Sequence, residues 1–126
     1  MRTILAIVLS LILFIAVGSY VQHYIEKTAR NIAEETDRLK QLVEAGSWDE
    51  AGAVLNRITE EWTVMRRKWN ALIDHSEVDR IDDALARTGE LINLKEIKDC
   101  LVEIAVLKQT ILHIPENERL ALSNIF

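Results

Sequence analysis

The residues richest in chemistry lie in one short stretch: His75, Glu77, Asp79 and Asp82, flanked by Asp74 and Asp83. Carboxylate oxygens and one imidazole form a ligand set for a divalent cation, which makes His75, Glu77 and Asp79 the candidate metal ligands. The motif is sparse. The sequence has no Glu-x-x-His pair of the di-iron bundle kind, no His-Glu-x-x-His, and no Cys near another ligand. The same residues also have a purely structural reading. Acids in a first helical turn complement the helix dipole, and His75 stands four residues before Asp79, where the two can pair.

Nucleophilic chemistry finds less. The one cysteine, Cys100, follows Asp99 and has no cation directly beside it, so nothing visible lowers its pKa. It reads as a small filler at the edge of a helical seam, with an intermolecular disulfide open to it on the outer side of a membrane. His23 and His113 have no Ser, Cys or Asp around them in a catalytic pattern, and four scattered glycines make no phosphate loop. No nucleophile and base can be assembled from these residues, so the chain is expected not to be an enzyme and to carry no cofactor.

Trp62 and Trp69 stand one heptad apart on the apolar side of a helical pattern. At that spacing they are core anchors that bury large apolar area. The sharper alternative is an aromatic-lined groove for a peptide or a lipid, and it keeps both residues as interaction candidates. Arg66-Arg67-Lys68 is the one basic run, read as the solvated back of its helix pairing with acids of a neighbour.

The elements that hold these residues come in two kinds. From Thr3 to Val21 the chain has 19 residues without a charge, about 28 Å as a helix, which is the hydrocarbon thickness of a bilayer. Twelve of them are Leu, Ile, Val or Phe, together worth on the order of −4 to −7 kcal/mol of insertion free energy. Tyr20 and Tyr24 follow at headgroup level. Ala16-Val17-Gly18 has the small-x-small form of a signal-peptidase site, but the helical pattern continues past it, so an uncleaved anchor is expected over 1–24.

Beyond it, apolar positions step by three and four in four runs. Ile25, Ala29, Ile32, Thr36, Leu39 and Val43 form the first, closed by Gly46. Ser47 to Glu50 reads as a capping box for the second, whose seam is Ala51, Leu55, Ile58, Trp62, Met65, Trp69 and Leu72, ending near Asp74. Ser76 caps the third, with Val78, Ile81, Leu85, Thr88 and Ile92. Asn93 starts the fourth, with Ile97, Leu101, Ile104, Lys108 and Ile111 on its seam and Leu94, Leu107 and Ile114 widening it, and Pro115 stops it. Short connections make successive helices antiparallel. The expected fold is all-α, an N-terminal transmembrane helix followed by an up-down-up-down four-helix bundle over 25–126, with an apolar C-terminal tail.

The N-terminal anchor, the stretch His75-Ser76-Glu77-Val78-Asp79-Arg80-Ile81 and the ending Leu122-Ser123-Asn124-Ile125-Phe126 together resemble the bacterial domain-of-unknown-function family 4363. These are small membrane-anchored helical proteins of spore-forming Gram-positive bacteria, and the likeness covers essentially the whole chain. The family brings no activity to carry over. The resemblance implies that Trp69, His75, Glu77 and Asn124 to Phe126 are family-typical positions.

Of 15 Lys and Arg and 20 Asp and Glu, only Arg2 precedes residue 22. The rest of the chain therefore carries a net charge of −6, which argues against nucleic-acid binding. The function expected from all this is that of a non-enzymatic, single-pass accessory protein in a bacterial cell membrane, its helical domain extracytoplasmic. Its partners are the lipid bilayer and a neighbouring membrane protein or a second copy of itself. Leu120, Leu122, Asn124, Ile125 and Phe126 are the candidate docking residues. The alternative is a membrane-anchored sensor that binds a divalent cation or small ligand at the junction around His75.

Overall fold

The computed structural model describes the backbone of residues 1–125 and the side chains of residues 1–116. Four helices follow one another: α1 (Arg2–Glu44), α2 (Trp48–Trp69), α3 (His75–Asn93) and α4 (Ile97–Ile125). Each packs on its chain neighbour, and α4 closes the ring on α1. Cross-helix pairs fix the directions. Lys68 of α2 bonds Tyr24 of α1 while Arg57 pairs with Glu35, and Pro115 of α4 accepts from Gln22 while Lys108 pairs with Asp37. Both neighbours of α1 thus run antiparallel to it, and the architecture is the up-down-up-down four-helix bundle that short loops dictate.

α1 is one unbroken helix of 43 residues. Up to Tyr20 its side chains are exposed apart from Gly18, which is half-buried, and its core face begins at Ile25 and continues through Ala29, Ile32, Thr36, Leu39 and Val43. Every position of the periodicity read from sequence is therefore buried, with Ala33 added to the face. The α2 seam is equally faithful from Ala51 to Met65, with Val54 added. Past Met65 it departs from expectation: α2 ends at Trp69, Trp69 is half-buried, Leu72 lies exposed in the turn and Ile73 takes the core position.

Turn chemistry explains the helix ends. Gly46, at φ 72°, closes α1, with Ser47 N–H donating to Leu42 and Gly46 N–H to Val43. This is the Schellman arrangement, which requires a left-handed residue. Lys95 does the same for α3 at φ 56°, with Glu96 N–H donating to Leu91 and Lys95 N–H to Ile92. Asn93 is therefore the last residue of α3 and not the start of α4. A lysine in this conformation carries the steric cost that glycine avoids. Lys95→Gly is expected to raise stability by about 0.5 kcal/mol, the relief of strain less the added freedom of the unfolded chain; a thermal melt of the full chain in detergent measures it.

Caps differ from expectation as well. Ser47 does occupy the N-cap of α2 but makes no side-chain cap bond, so the capping box is not closed. Asp74, not Ser76, caps α3, its carboxylate accepting from Ser76 N–H at 3.0 Å. That bond holds the Asp74 carboxyl below its ordinary pKa of 3.8.

α4 brings the largest correction. Pro115 does not stop it: the helix continues to Ile125, with Pro115 itself buried in the interior of the helix. A mid-helix proline removes one backbone donor and costs about 3 kcal/mol. Here packing outweighs that cost, since Ile111 and Ile114 are fully buried against the bundle and Gln22 Nε2 donates to the Pro115 carbonyl at 3.0 Å. The α4 seam is also shifted. Cys100, Ile104, Leu107, Ile111 and Ile114 face the core, whereas Ile97 and Leu94 are exposed.

Candidate functional site

The junction between α2 and α3 does not assemble the residues proposed as metal ligands. His75 and Asp79 are exposed, while Glu77 turns into the bundle and is buried. Among the described residues no three His, Cys, Asp or Glu side chains are placed to share a metal ion. The His75–Asp79 pair is not formed either. An exposed i,i+4 pair gains only a few tenths of a kcal/mol, and hydration competes successfully with it.

Asp82 takes another role. Its carboxylate accepts from Trp62 Nε1 at 2.8 Å with one oxygen and pairs with Arg66 through the other. Trp62 and Arg66 are successive turns of α2, so one carboxylate of α3 holds both. Trp62 is fully buried and serves as the core anchor its spacing predicts. Arg66 pairs with a neighbouring acid as expected of the basic run.

Among the described residues each helix interface carries one such ion pair: Glu35–Arg57, Arg66–Asp82, Arg87–Glu103 and Asp37–Lys108. Exposed pairs contribute little to stability, at most about 1 kcal/mol each. Their placement fixes which helix faces which.

Trp69 differs from Trp62. It is half-buried at the end of α2, its ring 5.5 Å from that of Tyr24 at a tilt of 52°. Its indole N–H is enclosed without an acceptor among the described residues. Lys68 Nζ reaches the Tyr24 hydroxyl at 3.3 Å. Tyr24, Lys68 and Trp69 therefore form one aromatic and cationic cluster where α1 leaves its apolar half.

At the same end of the bundle lies an apolar cleft of about 640 Å³, walled by Phe14, Val17, Val21 and Ile25 of α1 and by Leu72 of the α2–α3 turn. Gln22, His23 and Glu26 supply its polar end. Its size falls within the ~300–1,000 Å³ of small-molecule sites. Tyr24 and Lys68 of the cluster stand 44 residues apart in sequence. Periodicity placed Tyr24 and Trp69 on their own helices, but only the α1–α2 register brings them together. The side chains of Leu122, Asn124, Ile125 and Phe126 lie outside the described residues.

Cys100 sits in the core, fully buried. Burial, with Glu103 nearby, pushes its thiol from 9.0 up to about 11. An intermolecular disulfide through this residue would require the bundle to open. Because the unfolded chain releases this proton near pH 9 and the folded one near 11, the stability it confers is full below 9 and is lost as the pH rises to 11. The loss amounts to about 2–3 kcal/mol. Denaturation midpoints measured from pH 8 to 11 should fall more steeply for the native chain than for Cys100→Ala.

His113 Nδ1 lies 3.2 Å from Glu116, both exposed. The features together define a class: an all-α, up-down-up-down four-helix bundle whose first helix carries an exposed apolar extension long enough to cross a membrane. Within that class, the chain belongs to the family described as Domain of unknown function (DUF4363), whose model matches residues 19–125. No curated protein and no solved structure matches the chain.

Proposed function

We propose that this is a non-enzymatic accessory protein of the bacterial cell membrane, anchored by the first half of α1, with its bundle on the extracytoplasmic side. It docks there against a neighbouring membrane protein or a second copy of itself. The observation that carries the reading is the exposed apolar stretch of α1. Between residues 3 and 20 only Gly18 is even half-covered by the bundle, and the helix runs on without a break into the bundle core. A core helix of a soluble protein would bury such a stretch, because about 25 cal/mol per Å² of apolar area favours removal from water. Continuity of the helix supports retention over cleavage, since removing residues 1–18 would cut through a regular helix only two turns before its first core residue.

The test is made on intact cells. Under alkaline carbonate washing the full-length chain should stay in the membrane pellet, and protease added to protoplasts should digest the bundle. Crosslinking in those membranes should yield the chain joined to itself or to one recurrent membrane protein. Recovery in the wash, or of a form lacking residues 1–18, would overturn the anchor. A bundle shielded from protease would reverse the orientation.

A further inference from the structure

The axial position of the bundle along α1 can be set against the thickness of a bilayer. The apolar stretch ends at Val21, where the polar Gln22 and His23 follow. Tyr24, which packs on Trp69, is three residues further on, about 4.5 Å along the helix axis. Each headgroup layer is about 5–7 Å thick, from a hydrocarbon core of about 30 Å within a total of 40–45 Å. Tilting α1 only lowers Tyr24 further. The Trp69 end of α2 therefore stands inside the headgroup layer, and the turn that follows it lies lower still. Leu72, 45% exposed, walls the cleft whose other side is Phe14, Val17 and Val21, residues of the spanning stretch itself.

A second element reaches the same level independently. Gln22 holds the Pro115 carbonyl, and α4 continues ten residues past it, to Ile125, on the membrane side of that contact.

We propose that the membrane-side end of the bundle is a lipid-contacting surface. Tyr20, Tyr24, Lys68 and Trp69 lie among phospholipid headgroups, and an acyl chain fills the cleft between α1 and Leu72. The residue types suit the place. Trp and Tyr favour the interface, and Lys extends its ammonium toward the headgroups while its stem stays on apolar surface. Tyr20 is 67% exposed. The cleft is apolar where it adjoins the spanning stretch and polar at Gln22, His23 and Glu26, the polarity order of a phospholipid entering from the bilayer. The bundle is thus seated in the membrane surface and does not ride above it on a stalk.

The proposal rests on α1 spanning the bilayer, and the experiment separates the two. In the full chain with Cys100→Ala, a nitroxide is attached in turn at Phe14→Cys, Leu72→Cys and Lys95→Cys, and the protein is placed in phosphatidylcholine and phosphatidylglycerol vesicles. Collision with oxygen should exceed collision with a water-soluble nickel chelate several-fold at Phe14 and at Leu72, and the ratio should reverse at Lys95, at the far end of the bundle. Nickel dominance at Leu72 with oxygen dominance at Phe14 overturns the lipid surface and spares the anchor. Nickel dominance at both overturns both.

A second measurement leaves Cys100 untouched. Doxyl-labelled lipid should quench the emission that Trp69→Phe removes and spare the emission that Trp48→Phe removes, since Trp48 starts α2 about 30 Å further from the membrane. Equal quenching of the two, or none at Trp69, overturns the proposal.

Discussion

Trp62→Ala is expected to remove about 3–5 kcal/mol of stability, the usual cost of deleting a fully buried large aromatic. Small domains have only about 5–15 kcal/mol in total, so the variant should lose most of its cooperative transition in a denaturant melt of the full chain in detergent. The chemistry of the site adds to the cavity. The Trp62 indole donates to Asp82, and Asp82 also binds Arg66. Truncation thus leaves a carboxylate with half its partners as well as an empty volume in the core. Trp62→Phe separates the two contributions, keeping most of the apolar area while losing the N–H bond, at about 1.5–3 kcal/mol for a bond to a charged acceptor. Combined with Asp82→Ala, the two single losses should not add, because each removes the same bond. Trp69→Ala gives the contrast. Half-buried and tilted against the Tyr24 ring, Trp69 should cost clearly less than Trp62; a loss as large would mean that it anchors the core and not the base of the bundle.

That contrast also marks how far the sequence could be read. Both tryptophans share one heptad seam, and periodicity treats them alike. What separates them is where the seam stops being covered, and that depends on the length of α1 that the bundle uses. The first three helices were legible because their apolar steps are unbroken, so Ile25 to Val43 and Ala51 to Met65 fall on the core as read. α4 was legible from Ile104 onward, where Ile104, Leu107, Ile111 and Ile114 lie in the core as read, but not at its start. Its start is set by the left-handed Lys95, a conformation no propensity assigns to lysine, and its true core residue is Cys100 where the pattern pointed to Ile97 and Leu101. Pro115 misled for a related reason. The rule against proline in helices holds locally, and tertiary packing at Ile111 and Ile114 overrides it. The candidate site at His75 was a pattern on one strip of chain, while the cluster of Tyr24, Lys68 and Trp69 joins two distant strips. Only the register of α1 on α2 could reveal it.

The other large effect concerns the anchor. Leu9→Arg combined with Leu13→Arg places two guanidiniums one turn apart near the middle of the apolar stretch. Each costs about 2.5–3.5 kcal/mol at a bilayer centre and forfeits about 0.3–0.6 kcal/mol from the lost leucine, some 6–8 kcal/mol in all. The twelve apolar residues of the segment supply on the order of −4 to −7 kcal/mol, so insertion becomes neutral or unfavourable. Both leucines are exposed, and the first residue of α1 buried in the core is Ile25, three turns beyond Leu13. The bundle should therefore keep its helical content and its melting transition while the protein moves from the membrane fraction to the wash. This pairing of outcomes separates an anchor from a structural helix. If the apolar stretch were needed to complete the fold, the double variant would unfold wherever it was found. If the stretch neither spans a bilayer nor supports the fold, fractionation and melting would both be unchanged. Loss of membrane attachment with an intact melt is the one result that agrees with a continuous α1 whose two halves answer to different solvents. It would also release Tyr20, Tyr24 and Leu72 into water, so the freed protein should self-associate more than a chain in which Leu72→Ser accompanies the two arginines.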